Sequence, residues 1–252
     1  MRPFFASLVS IRLRCCAVLL VLCLAQIAQA KDAPKANAKK NGPANAASAQ
    51  VYDEAMRILN GLKKTEYKHK TDIDEEKGVY LCDCSGFVGY VLNQTVAKDD
   101  PKGPLGDGKN RPLAMHYSKA FEEAPSKAEG GSWQRIERVK DARPGDVIAW
   151  RHAEPKPGNT GHVVIVAERP VKEEKGLMRV VVIDSTTKPQ VDDTRAAGTS
   201  GIGRGTMWIQ VDNSGRPVAH VRGSRDAEPK AEPISIGRAV PVPKQDAAKK
   251  AA

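Results

Sequence analysis

The sequence predicts an α+β domain in which helices come first and an antiparallel sheet follows. Three observations carry this expectation. Val51, Ala55, Ile58, Leu59 and Leu62 recur at helical spacing, as do Phe87, Val88, Val91 and Leu92. From residue 147 onward the apolar residues gather in β-rich runs, 147–150, 162–168 and 179–185. The runs 206–211 and 217–221 then flank Asp-Asn-Ser-Gly, a hairpin signal.

Before the first helix the chain has other tasks. Arg2, Arg12 and Arg14 precede an apolar run from Ala17 to Leu24, and Ala28-Gln29-Ala30 follows with small residues at the cleavage-determining positions. Residues 1–30 therefore read as a secretory signal, too short for a membrane span, and the protein is expected to be exported to the periplasm or beyond. Cleavage removes Cys15, Cys16 and Cys23, which leaves only Cys82 and Cys84. Two cysteines with one residue between them do not make a disulfide scaffold. Residues 31–47 have no bulky apolar side chain and read as a linker. The domain is expected over 48–222. Beyond it, 223–252 reads as a mostly mobile tail of Lys, Glu, Pro and Ala, in which 234–240 has the composition of one more edge strand.

The connections are equally plain. A Pro-, Gly- and Lys-rich loop runs over 97–111, and Pro112 suits the first position of a short helix ending near Glu123. Arg143-Pro144-Gly145-Asp146 has Pro and Gly where a type II turn favours them. The formal charge of +10 suits an anionic envelope or general solubility. Aromatic residues make up only 5% of the chain, too few for a basic stripe with stacking platforms, so no nucleic-acid partner is expected.

Chemistry centres on Cys84. It opens the Phe87 helix, where unpaired N–H groups and a partial positive charge favour thiolate and can receive an oxyanion. Ser85 shares that helix start. A buried structural thiol is the competing reading. His162 follows Gly161 at the mouth of His-Val-Val-Ile-Val and supplies the base a cysteine nucleophile needs. His69, His116, His152 and His220 read as surface residues. Asp184 interrupts the apolar run Arg-Val-Val-Val-Ile-Asp, where a carboxylate needs a partner. If its strand and that of His162 form a simple hairpin, the two face each other and Asp184 orients the imidazole. A shift of one residue would present Ser185 instead. Asp192 and Asp193 carry no role in this reading. Gly201-Ile202-Gly203-Arg204-Gly205 reads as a loop. Cys82-Asp83-Cys84 is poor zinc spacing, so neither metal nor other cofactor is expected.

Asp-Cys-Ser-Gly-Phe-Val at 83–88, Pro-Gly-Asp-Val-Ile-Ala-Trp at 144–150 and Gly-His-Val-Val-Ile-Val at 161–166 together resemble the NlpC-type, papain-like cysteine peptidase family. The resemblance spans roughly residues 50–221. It implies a papain-like fold with Cys84 as nucleophile, His162 as base and Asp184 as the polar residue that orients it. It also implies amide cleavage in bacterial wall peptides. The family's Tyr-x-Trp-Gly-Gly segment is missing, and Tyr67 is the candidate for its oxyanion-site tyrosine. An amidase or acyltransferase acting on another substrate would use the same residues. A catalytically silent envelope-binding domain would keep only the fold. Nothing in the sequence sets the oligomeric state.

Overall fold

The computed structural model describes residues 41–98, 102–109, 111–128 and 132–241. The expected signal sequence, most of the expected linker and the last residues of the tail lie outside the described residues. Asn45 starts the first helix, α1 (Ala46–Gly61), by accepting the Ser48 N–H, and its own amide donates to the Ala239 carbonyl at 3.0 Å. Ala47 and Ser48 are already buried. The domain thus begins inside the expected linker, because one Asn caps the helix and ties it to the far end of the chain.

Three short strands follow or flank it: β1 (Lys64–Glu66), β2 (Asp72–Asp74) and β3 (Val79–Leu81), arranged as a small sheet with β3 in the middle. Helix α2 (Cys84–Gln94) comes next and is buried over most of its length, Tyr90 excepted until its last turn. Helix α3 (Ala114–Glu123) starts two residues after Pro112, with Leu113 as its N-cap.

The large sheet is built from β4 (Trp133–Arg135), β5 (Val147–Lys156), β6 (Asn159–Val166), β7 (Val171–Lys172), β8 (Leu177–Thr186), β9 (Gly201–Val211), β10 (Pro217–Val221) and β11 (Ile234–Ala239). Its order is β10-β9-β8-β6-β5-β11-β4, with β7 paired to β8, and every pairing in it is antiparallel. The mixed, mostly antiparallel α+β class is as the sequence predicts. Between η1, a 3₁₀ turn at Val139–Asp141, and β5, Asp146 donates its N–H to the Arg143 carbonyl. Gly145 there has φ +84°, and a Cβ on it would lie 1.9 Å from the Ser48 carbonyl oxygen.

Both faces of the central strands are covered, which is why they read as continuous apolar runs. Val147, Ala149, Val163, Ile165, Val181 and Ile183 pack against the helices. Ile148, Trp150, Val164, Val166, Val180 and Val182 fill the opposite face with Met207, Ile209 and Ile236. Three expectations need correction. The strand near 234–240 is not an edge, because β11 lies between β5 and β4. The 223–232 segment is held, through Lys230 paired to His220 and Glu232 bonded to His152 and His220. Gly201–Gly205 is strand, the start of β9, not loop. No helix among the described residues is long and apolar enough to cross a membrane.

Candidate active site

Asp83 caps α2 and so places Cys84 in its first turn. The Asp83 carboxylate accepts the Gly86 N–H at 2.7 Å and the Ser85 hydroxyl at 2.9 Å. Its other oxygen accepts Arg111 at 2.7 Å. Ser85 is buried and its hydroxyl is committed to this cap, so only its backbone can serve a substrate.

His162 is set by Gly161. That glycine has φ +136°, and a Cβ on it would fall 2.0 Å from the Trp150 carbonyl oxygen. The tight approach to β5 sets the His162 ring beside Trp150, tilted by 50° with centroids 5.1 Å apart. His162 Nε2 meets Asp184 Oδ2 at 2.8 Å, with the carboxylate fully buried. The register differs from a simple hairpin. Ile165 pairs with Ile183, so continuation of the pairing would set His162 against Thr186. Asp184 sits two residues away on the same face, a diagonal neighbour. Ser185 points to the other face, where its hydroxyl donates to the Cys82 carbonyl at 2.6 Å.

Strands β6 and β8 pair only at Ile165–Ile183 and Val166–Val182 and then part. The chain before α2 occupies the opening. Ser185 holds Cys82 there, and the Cys84 thiol lies close to the backbone N–H groups of Val163 and Ser85. The thiol thus arrives from the helical face of the sheet and the imidazole from the opposite face, on adjacent residues of β6. Among the described residues Cys84 has no hydrogen bond to His162 itself. The structure joins His162 to Asp184 directly and brings Cys84 to the next peptide group.

The electrostatics correct one expectation. Burial, and after it the Asp83 charge, pushes the Cys84 thiol up to about 12, which outweighs the helix terminus. Burial and Arg222 bring His162 down to about 4. The favoured resting state is a neutral thiol beside a neutral imidazole, not a preformed ion pair. Cys82 is likewise pushed up to about 12, first by burial. Asp184 is held below the usual carboxylate range, because the His162 bond with the Arg195 and Arg222 charges overcomes its burial. Tyr67 is raised by burial and by the proximity of Cys84 and Asp83, which places it near the thiol.

A cleft of about 510 Å³ opens over His162, lined also by Tyr67, Trp150, Gln190, Arg222 and Glu232. Cys84 is 5% exposed and does not line it. Several of these residues carry no signal in the sequence. Gln190 donates to Asp184 at 2.9 Å, and Arg195 reaches Asp184 Oδ1 at 2.8 Å. Arg222 donates to Thr186 and lies over the Trp150 ring. His220, expected at the surface, is buried and stacked on Trp150. Its Nε2 and the Nδ1 of His152 both contact Glu232. No group of side chains suited to a metal ion occurs among the described residues.

No family model matches the chain, and no curated protein or solved structure matches it either.

Proposed function

We propose that this protein is a papain-like cysteine hydrolase that cleaves amide bonds, with a bacterial wall peptide as its substrate and the exported side of the membrane as its place of action. One observation carries the reading. A cysteine at a helix start has its sulfur near the backbone of Val163, the residue after His162, and His162 spends Nε2 on a buried carboxylate. That bond leaves Nδ1 as the ring edge available to the thiol.

The chemistry follows from the neutral pair. The Cys84 sulfur turns toward His162 by a side-chain rotation and gives its proton to His162 Nδ1 as it attacks the carbonyl carbon. The Cys84 N–H, with Tyr67 on the cleft wall, stabilises the oxyanion. Asp184 stabilises the imidazolium for the short time it exists. The imidazolium then protonates the departing amine, which leaves an acyl-enzyme for water to cleave. Bonds to the sulfur that are long in a resting site tighten when substrate enters.

The test is incubation of the purified protein with wall-derived peptides and identification of the products by mass. Paired products that sum to substrate plus water, formed by the wild type and not by Cys84→Ala, support the proposal. Products that carry an added amine in place of water indicate acyl transfer by the same residues. Cleavage that survives in Cys84→Ala overturns the thiol mechanism. Saturable binding without turnover in either protein would identify a silent binding domain.

A further inference from the structure

Behind Asp184 stands a second layer that the mechanism does not yet use. Arg195 has a side chain only 2% exposed, and its donors reach five acceptor atoms on three residues, the Asp184 carbonyl at 3.4 Å among them. One Nη2 bond goes to Asp184 Oδ1 at 2.8 Å and another to Asp193 Oδ2 at 2.6 Å. Nε donates to Asp193 Oδ1 at 2.8 Å, and Nη1 donates to the Gly201 carbonyl at 2.7 Å. The remaining Asp184 oxygen is shared by His162 and Gln190. Asp193 in turn accepts the Gln190 N–H at 2.6 Å. Both oxygens of Asp184 are therefore fixed, one by Arg195 and one by the ring it faces.

The sequence makes room for this layer. Asp184 pairs with Gly203 on β9, and Val182 pairs with Gly205. A Cβ at Gly203 would fall 2.4 Å from Arg195 Nε, and one at Gly205 would fall 2.6 Å from Asp193 Oδ2. Two alternate side chains on one face of a strand are absent, and the arginine–aspartate clamp fills the space. A loop anchored only for stability would not need to reach the carboxylate that holds the histidine.

We propose that Arg195, braced by Asp193, is a positioning residue that balances the charge of Asp184 and fixes its orientation toward His162. A fully buried carboxylate with only an imidazole for company would draw a proton onto that ring and keep it. With Arg195 as its standing partner, Asp184 leaves His162 neutral at rest and able to accept the thiol proton. The groups that face this pair are few. Arg222 approaches from the end of β10, His220 from β10, Cys84 from the helical side, and Tyr67 stands on the wall of the cleft over His162.

The inference rests on His162 as the base, but its test needs no substrate. The His162 ring is titrated by NMR in the full-length protein, in a Cys84→Ala background, with thermal stability followed in parallel. In Arg195→Met the ring should protonate at a pH higher by about 1 or more, and Arg195→Lys should restore part of the difference. Asp193→Asn leaves Arg195 undivided, so the ring should protonate at lower pH than in the parent, and this variant keeps the proposal testable if Arg195→Met fails to fold. Opposite movements in the two variants support the positioning role. A ring titration unchanged in Asp193→Asn, or moved the same way in both, overturns it and leaves the clamp a structural anchor. Absence of hydrolysis in the wild type would end the hydrolase reading without touching this result.

Discussion

Asp146 and Asp184 are both fully buried and both bonded to an arginine at 2.8 Å, yet they have opposite acidities. Asp146 takes Arg238 on both oxygens and the Arg143 N–H, and burial still pushes it above the usual carboxylate range. Asp184 is equally desolvated, but His162, Arg195 and Arg222 together bring it below that range. The first is a clasp: it fastens the turn before β5 to β11 and opens onto nothing. The second shares a proton-carrying ring with a cleft. A buried carboxylate–arginine pair is thus no sign of chemistry in itself. The sign is a titratable partner, strongly perturbed, at the wall of a cavity.

The sharpest way to break this comparison is at the nucleophile and base. Cys84→Ala and His162→Ala should each abolish hydrolysis while circular dichroism and melting temperature stay near those of the wild type. Turnover retained in either would remove the reason to treat Asp184 as special. Asp184→Asn should lower kcat/KM by about 10- to 10³-fold, short of the loss at Cys84. Asp146→Ala should instead cost about 3–5 kcal/mol of stability by stranding Arg238, with the turnover of folded molecules preserved. Denaturant unfolding beside steady-state kinetics would expose a reversal of these two roles.

Acid tests the same contrast more gently. His162 titrates near 6.5 when unfolded and near about 4 when folded, so its contribution to stability is full above the first value. That contribution is lost as pH falls through the second, since the unfolded chain takes up the proton earlier. Hydrolysis should show an acid limb near about pH 4, where imidazolium can no longer accept the thiol proton. A limb near 6.5 would mean an exposed, ordinary histidine.

Cys84 and His162 are legible in the sequence because their signals are local. A capping Asp precedes one, and a glycine with a conformation closed to other residues precedes the other. Asp184 is legible by parity alone. Period-two alternation puts it on the right face, but its exact partner depends on β7, which pairs back onto β8 and changes the connector. Arg195 and Asp193 were beyond reach because their meaning lies in two empty positions on β9, read in the sequence as a glycine-rich loop. The segment 223–233 looks like a solvated tail by composition. Glu232, held between two histidines from different strands, shows that a few long-range polar bonds can order such a stretch.

The place of β11 has a consequence for how the molecule is made. Arg238 pairs with Gln134 and Ile236 with Ile148, so the strand that joins β4 to the rest of the sheet is synthesised after every other described strand. Until it arrives, the outer edge of β5 is an open row of donors and acceptors, β4 has no neighbour, and Asn45 lacks the carbonyl that anchors its helix. Partners so far apart along the chain close slowly, because the intervening loop must be ordered before any bond repays it. The nascent polypeptide therefore stays loosely organised until β11 has been made. A stop before residue 234 would leave β4 and β5 without the strand that joins them, although Cys84, His162 and Asp184 would all still be there.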